Sequence, residues 1–142
     1  YAAGPAELIK EMRKIQGQST SNPCSISQAA ATAALNGDQA CVEEMRQEFK
    51  RRHDWLVPAL DQLPGIRCSV GQGAFYVFAD CREAIESLGL ADDLEFAELL
   101  LEKSGVATVP GTAFGTPGHL RLSFACSLDT LKDAVRRIAA VL

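Results

Sequence analysis

Arg121 is the residue whose setting most demands a chemical partner. It stands in "HLRLSFA" (residues 119–125), between Leu120 and Leu122, directly after "PGTAFGTPG" with its three glycines and two prolines. Alternating apolar residues after a turn-rich loop predict a strand whose neighbours favour burial. An unpaired guanidinium is costly in such a place, so Arg121 must face solvent, pair with an acid, or face a ligand anion. Its planar fork of donors matches a carboxylate in two parallel hydrogen bonds. Composition alone leaves those readings open.

Other residue patterns offer less chemistry. Gly71 and Gly73, and Gly111, Gly115 and Gly118, do not follow a strand and open a helix, so they read as tight turns rather than phosphate loops. Ser19, Thr20 and Ser21 have no histidine at an informative spacing, which argues against a serine nucleophile. Cys126 reads as a structural thiol and His119 as a surface turn residue. The five cysteines are widely spaced, with no C-x-x-C pair, and only two histidines are present. No metal site is expected, and the thiols read as free and mostly buried, in a reducing cytoplasm.

The elements that must position Arg121 follow from periodicity. Pro5 and "AELIKEMRKIQ" predict a helix that "GQSTSNP" ends, and "SISQAAATAAL" predicts a second, alanine-rich helix suited to close packing. Asp38 can cap a long helix with an apolar stripe of Val42, Met45, Phe49, Leu56 and Leu60, running to about Leu63 with a bend at Pro58. "KRRHD" on this helix reads as a solvated face. Beyond Gly65, "IRCSV" and "GAFYVFAD" predict strands, the second apolar on both sides and hence buried on both. A helix capped by Asp92 and Glu95 and closed by Gly105 follows, then "VATVP", the Arg121 strand, and a last helix from Ser127. Helices followed by β-β-α-β-β-α suit an α/β chain. Its C-terminal part would be an α+β domain, a small, mostly antiparallel sheet with helices on one face.

Size and charge bound the function. At 142 residues, 47% apolar and 23% charged, the chain suits a globular protein. A net charge of -4 shows no footprint for nucleic acid, and no apolar run is long enough for a membrane span. The opening "YAAGP", without methionine, reads as a start in mid-sequence.

Taken in order, "YAAGP", "STSNPCSISQAAATAAL", "NGD…MRQEFKRRHDWLVPALDQLPG", "GAFYVF", "VATVPGTAFG" and "HLRLSFACS" resemble the C-terminal portion of class I pyridoxal-phosphate-dependent aminotransferases of fold type I. The likeness covers almost the whole chain and is to bacterial aspartate aminotransferases and their relatives. It implies that residues 1–37 are the tail of a large cofactor-binding domain, 38–64 a connecting helix, and 65–142 the small domain. It further implies pyridoxal 5'-phosphate as cofactor, an amino acid and a 2-oxo acid as substrates, a homodimer, and a cytoplasmic setting without nucleic-acid or membrane partners.

The resemblance also assigns Arg121 to the substrate α-carboxylate. It puts Ser21 and Asn22 in a loop near the dimer interface and the neighbouring active site. The family's Schiff-base lysine and its phosphate-binding arginine would both lie upstream of Tyr1, so this chain should not transaminate alone. None of its lysines (10, 14, 50, 103 and 132) stands in the family's lysine context. One departure bears on substrate: animal aspartate aminotransferases carry an arginine shortly before "SNP", where this sequence has Gly17, Gln18 and Ser19. Either the distal carboxylate is read elsewhere or the specificity is not for dicarboxylates. The alternative reading is a non-catalytic, aminotransferase-like ligand-binding or interaction domain.

Overall fold

A computed structural model describes residues 2–142. They form two compact units, divided between Cys41 and Val42.

The first unit holds α1 (Ala6–Ser19) and α2 (Ser25–Asn36). Pro5, with φ at -53°, leads into α1 as its ring geometry favours. The helix does not stop at Gly17 as the sequence suggested; it continues to Ser19, whose Oγ donates to the Ile15 carbonyl at 2.7 Å. One glycine costs a helix only about 1 kcal/mol, less than is needed to end it. Neither helix buries a residue, so the expected close packing of the alanine-rich face is not met within this unit.

Asp38 does cap the long helix: its Oδ1 accepts the Ala40 N–H at 2.9 Å and opens α3 (Ala40–Asp61). α3 spans the division and runs unbroken through Pro58, which lies on its exposed side. Of the expected stripe, Leu56 and Leu60 are buried, together with Val57, and Phe49 packs against the core. Val42 and Met45 are exposed.

"KRRHD" is not simply a solvated face. Arg52 and His53 are largely buried; Nε2 of His53 accepts the Gly71 N–H at 3.2 Å, while its Nδ1 meets Asp54. That pairing ties the segment between Cys68 and Tyr76 to the helix. A charged run on a helix buries whichever members the neighbouring loop reaches.

The sheet has four antiparallel strands in the order β1-β2-β4-β3: β1 (Arg67–Cys68), β2 (Tyr76–Asp80), β3 (Val109–Pro110) and β4 (His119–Ser123). The edge strands are much shorter than "IRCSV" and "VATVP" suggested. α4 (Arg82–Ser87) and a 3-10 turn (Gly111–Phe114) were not anticipated. α5 (Asp93–Ser104) is capped as its sequence requires. Oδ1 of Asp92 accepts the N–H groups of Leu94 and Glu95, and Gly105 closes the helix at φ 67°. α6 (Leu128–Ala139) starts from Ser127, whose Oγ accepts the Thr130 N–H.

Register decides which residues of the sheet are buried. Val77 lies opposite Leu122 and Ala79 opposite Leu120, so these side chains share the inward face. They join Leu56, Leu60, Phe96, Leu100, Phe124 and Ile138 in one core. The period of two then sends Tyr76, Phe78, Asp80, His119, Arg121 and Ser123 to the other face. That face is only half covered, so β2 is not buried on both sides as its apolar run suggested; Tyr76 is exposed and Phe78 half-buried.

All five cysteines are free, but only Cys81 is buried and Cys24 and Cys41 are exposed, which corrects the expectation of mostly buried thiols. Burial pushes Cys81 up to about 12 and Cys68 up to about 11, so both stay protonated at neutral pH. Among the described residues no helix is long and apolar enough to cross a membrane.

Candidate functional site

The outward face of the sheet is where polar and aromatic side chains converge. Arg121 occupies the middle of β4, opposite Phe78 on β2 and Val109 on β3. Its guanidinium carbon lies 4.7 Å from the ring centroid of Phe114 and 5.4 Å from that of Tyr76. Both distances are within cation–π range. Among the described residues no carboxylate comes within ion-pair distance of Arg121. The guanidinium is therefore held by aromatic faces, and its donor edge is not spent on a protein acid.

Phe114 reaches Arg121 because of the loop that carries it. The 3-10 turn starts at Gly111, where a Cβ would come within 2.3 Å of the Thr116 carbonyl oxygen and 2.8 Å of the His119 Cβ. Only glycine lets the chain fold back so tightly. The loop ends at Gly118, in the left-handed region at φ 77°. Between them, the fully buried Asp93 accepts from three donors: the Thr112 N–H at 2.8 Å, the Thr112 hydroxyl at 2.8 Å and the Gly118 N–H at 3.1 Å. Burial alone would raise this carboxyl, but the donors from Thr112 and Gly118 outweigh it and hold it below the ordinary aspartate range.

Phe78 completes the aromatic surface. It stacks on His119 at 5.1 Å and meets Phe114 edge-on at 6.2 Å. His119 is not the surface turn residue suggested by the sequence but the first residue of β4, half-buried, with Nδ1 against the Pro117 carbonyl at 3.1 Å. At the end of β2, Arg82 hydrogen-bonds Asp80 and draws its carboxyl down to about 2. Asp80 is thus an anion already paired with its own cation. The arrangement can bind a planar monoanion at Arg121 between aromatic walls, which is what a carboxylate requires.

The other site residues from the sequence lie elsewhere. Ser21 and Asn22 are exposed in the link between α1 and α2, in the first unit, where the Thr20 hydroxyl donates to the Ser21 carbonyl. Among the described residues no group of three metal-ligating side chains is present. Tyr76, Phe114 and Asp93 were not singled out by the sequence. The period-two set 76, 78, 119 and 121 carried the signal for the first, but nothing local pointed to the others.

Comparison with known proteins decides the family. The family described as "Aminotransferase class I and II" matches residues 1–138. The chain belongs to it. The aspartate/prephenate aminotransferase of Nitrosomonas europaea is 50% identical over 100% of this chain and 37% of its own length. For the aspartate aminotransferase of Geobacillus stearothermophilus the figures are 50%, 97% and 35%. Among solved structures, the aspartate aminotransferase of Rhizobium meliloti superposes with a TM-score of 0.81 at 43% identity, over 97% of this chain and 36% of that one. The aromatic aminotransferase of Pyrococcus horikoshii gives 0.83 at 35% identity, over 99% and 37%. This aminotransferase chain thus spans about a third of the length of the curated relatives it matches.

Proposed function

We propose that this chain is the carboxylate-reading part of a pyridoxal-phosphate-dependent aminotransferase, which moves an amino group between an amino acid and a 2-oxo acid. The observation that carries the reading is Arg121, flanked by Tyr76 and Phe114 and free of any carboxylate among the described residues. A bidentate guanidinium–carboxylate pair fixes the substrate about two parallel hydrogen bonds and orients its Cα–H bond for the chemistry. Relatives named aspartate aminotransferases favour an acidic amino acid as donor. The distal carboxylate would be read by residues outside this chain, since no basic residue stands at Gly17, Gln18 or Ser19. In this reading residues 1–37 belong to the cofactor-binding domain, 38–64 connect, and 65–142 form the small domain. Ser21 and Asn22 then line a dimer interface near the partner's site.

Family membership implies pyridoxal 5'-phosphate, but the residues of this chain do not fit a cofactor attachment point. Lys10, Lys14, Lys50, Lys103 and Lys132 are all exposed on helices, and Lys14 and Lys50 are ion-paired with Glu11 and Asp54. An imine-forming amine must be unprotonated, which needs a desolvated or cationic site. None of the five has one, so the chain contributes recognition, and we expect it to be inactive by itself. The test is Arg121→Ala in the longer parent protein, assayed with aspartate and a 2-oxo acid. We expect kcat/KM to fall with little change in thermal midpoint. An unchanged kcat/KM would refute the reading, and a parent that binds the amino acid without turnover would favour a ligand-binding module.

A further inference from the structure

We propose that Asp93 is the positioning residue of Arg121, acting through the loop that carries Phe114. The inference rests on the carboxylate-binding reading of Arg121 and extends it to a residue that touches neither the arginine nor the substrate.

A fully buried carboxylate needs strong compensation. Asp93 has no cationic partner among the described residues, and every donor it takes from another residue comes from one loop. It does not serve α5 as the cap, because Asp92 already does so. Its two oxygens instead hold Thr112 near one end of the Phe114 loop and Gly118 at the other. Within the loop the Thr116 N–H donates to the Gly111 carbonyl at 3.0 Å and the Gly115 N–H to the Thr112 carbonyl at 3.1 Å, but neither bond ties Gly118 to the turn; Asp93 does.

Phe114 itself is half exposed, and its aromatic contacts are Arg121 and Phe78. The direction of its ring is therefore set by the loop backbone rather than by surrounding packing. Release of Asp93 frees the loop ends, moves the ring off the guanidinium, and lets the guanidinium plane swing. The loss is bounded by the ring's own contact with the guanidinium, about two- to fivefold.

The experiment uses the full-length parent and two amino donors: an amino acid, and the amine with the same side chain but hydrogen in place of the α-carboxylate. Asp93→Asn keeps the shape but turns an amide N–H toward a donor. We expect kcat/KM for the amino acid to fall about two- to fivefold, chiefly through KM, with the amine unchanged. Equal losses on both donors, the mark of a merely structural role, would overturn the inference, as would no loss on either. Arg121→Ala runs beside it. If that variant also leaves the ratio of the two donors unchanged, the carboxylate reading fails and this inference with it; if only Arg121→Ala shifts the ratio, this inference alone fails. Should Asp93→Asn not accumulate folded, Thr112→Val removes one donor and should shift the ratio the same way by about twofold; an unshifted ratio again overturns it.

Discussion

Arg121 and Phe114 face each other at 4.7 Å although they belong to different elements, a strand and the 3-10 turn before it. The turn folds back over the strand it leads into, so one short stretch of chain supplies both the cation and part of the wall beside it. Tyr76, from the neighbouring strand, supplies another.

Arg121→Lys tests the fork rather than the charge. Lysine keeps one positive charge but loses the planar bidentate geometry and the stacking surface. In the parent protein kcat/KM for an amino acid should drop by about 10²-fold, corresponding to about 2–3 kcal/mol of the ion pair. Steady-state kinetics with the lysine variant close to wild type would show that charge alone suffices.

Phe114→Ala tests the wall. The ring is half exposed, so its loss should leave the thermal midpoint within a few degrees while weakening the cation–π contact by about 0.5–1 kcal/mol. A two- to five-fold rise in KM is the expected readout, about what that energy allows. A large fall in the midpoint would mean that Phe114 is a core residue in solution.

Asp93 makes stability depend on acid in a defined direction. Its folded carboxyl lies below the ordinary value, so the stabilisation is fully present above the unfolded pKa of about 3.9 and is lost as pH falls through the folded value. Unfolding free energies of wild type and Asp93→Asn from denaturant titrations should therefore differ most near neutrality, by about 1–3 kcal/mol, and converge in strong acid. A gap that stays constant with pH would contradict the role given to its charge.

Phe96 is fully buried against the inward face of the sheet. Phe96→Ala should cost about 3–5 kcal/mol, enough to unfold much of a small domain. A circular-dichroism melt within a few degrees of wild type would show a core more plastic than the packing suggests.

The first unit calls for a hydrodynamic check. Leu8, Ile15, Ile26 and Leu35 are 57%, 70%, 78% and 75% exposed, more apolar surface than two short helices can carry alone. Light scattering on this chain should show concentration-dependent association, reduced by Ile15→Glu with Ile26→Glu. A monomer at every concentration would argue that the surface is tolerated.

The sequence was most legible where the interactions are local. Asp92, Glu95, Gly105 and Ser127 marked helix ends because caps act within one turn. Arg121 stood out because a charge inside an apolar alternation is rare. α4 was missed because six residues between Cys81 and Leu88 are too few to display a helical period. The fate of β2 was misread because burial of its second face depends on what lies beyond the sheet, not on the strand. Asp93 could not be seen at all: its partners are 19 and 25 residues away, and no periodicity encodes such a contact.

The brevity of the outer strands has a consequence for strand pairing between chains. A sheet with an open, aromatic face and long free edges would template strand addition from a second chain. Here both edges, β1 and β3, are two residues long. One carries Arg67; the other ends in Pro110, which has no N–H to offer. The face around Arg121 can stay open to a small molecule because the borders of the sheet give a foreign strand almost nothing to pair with.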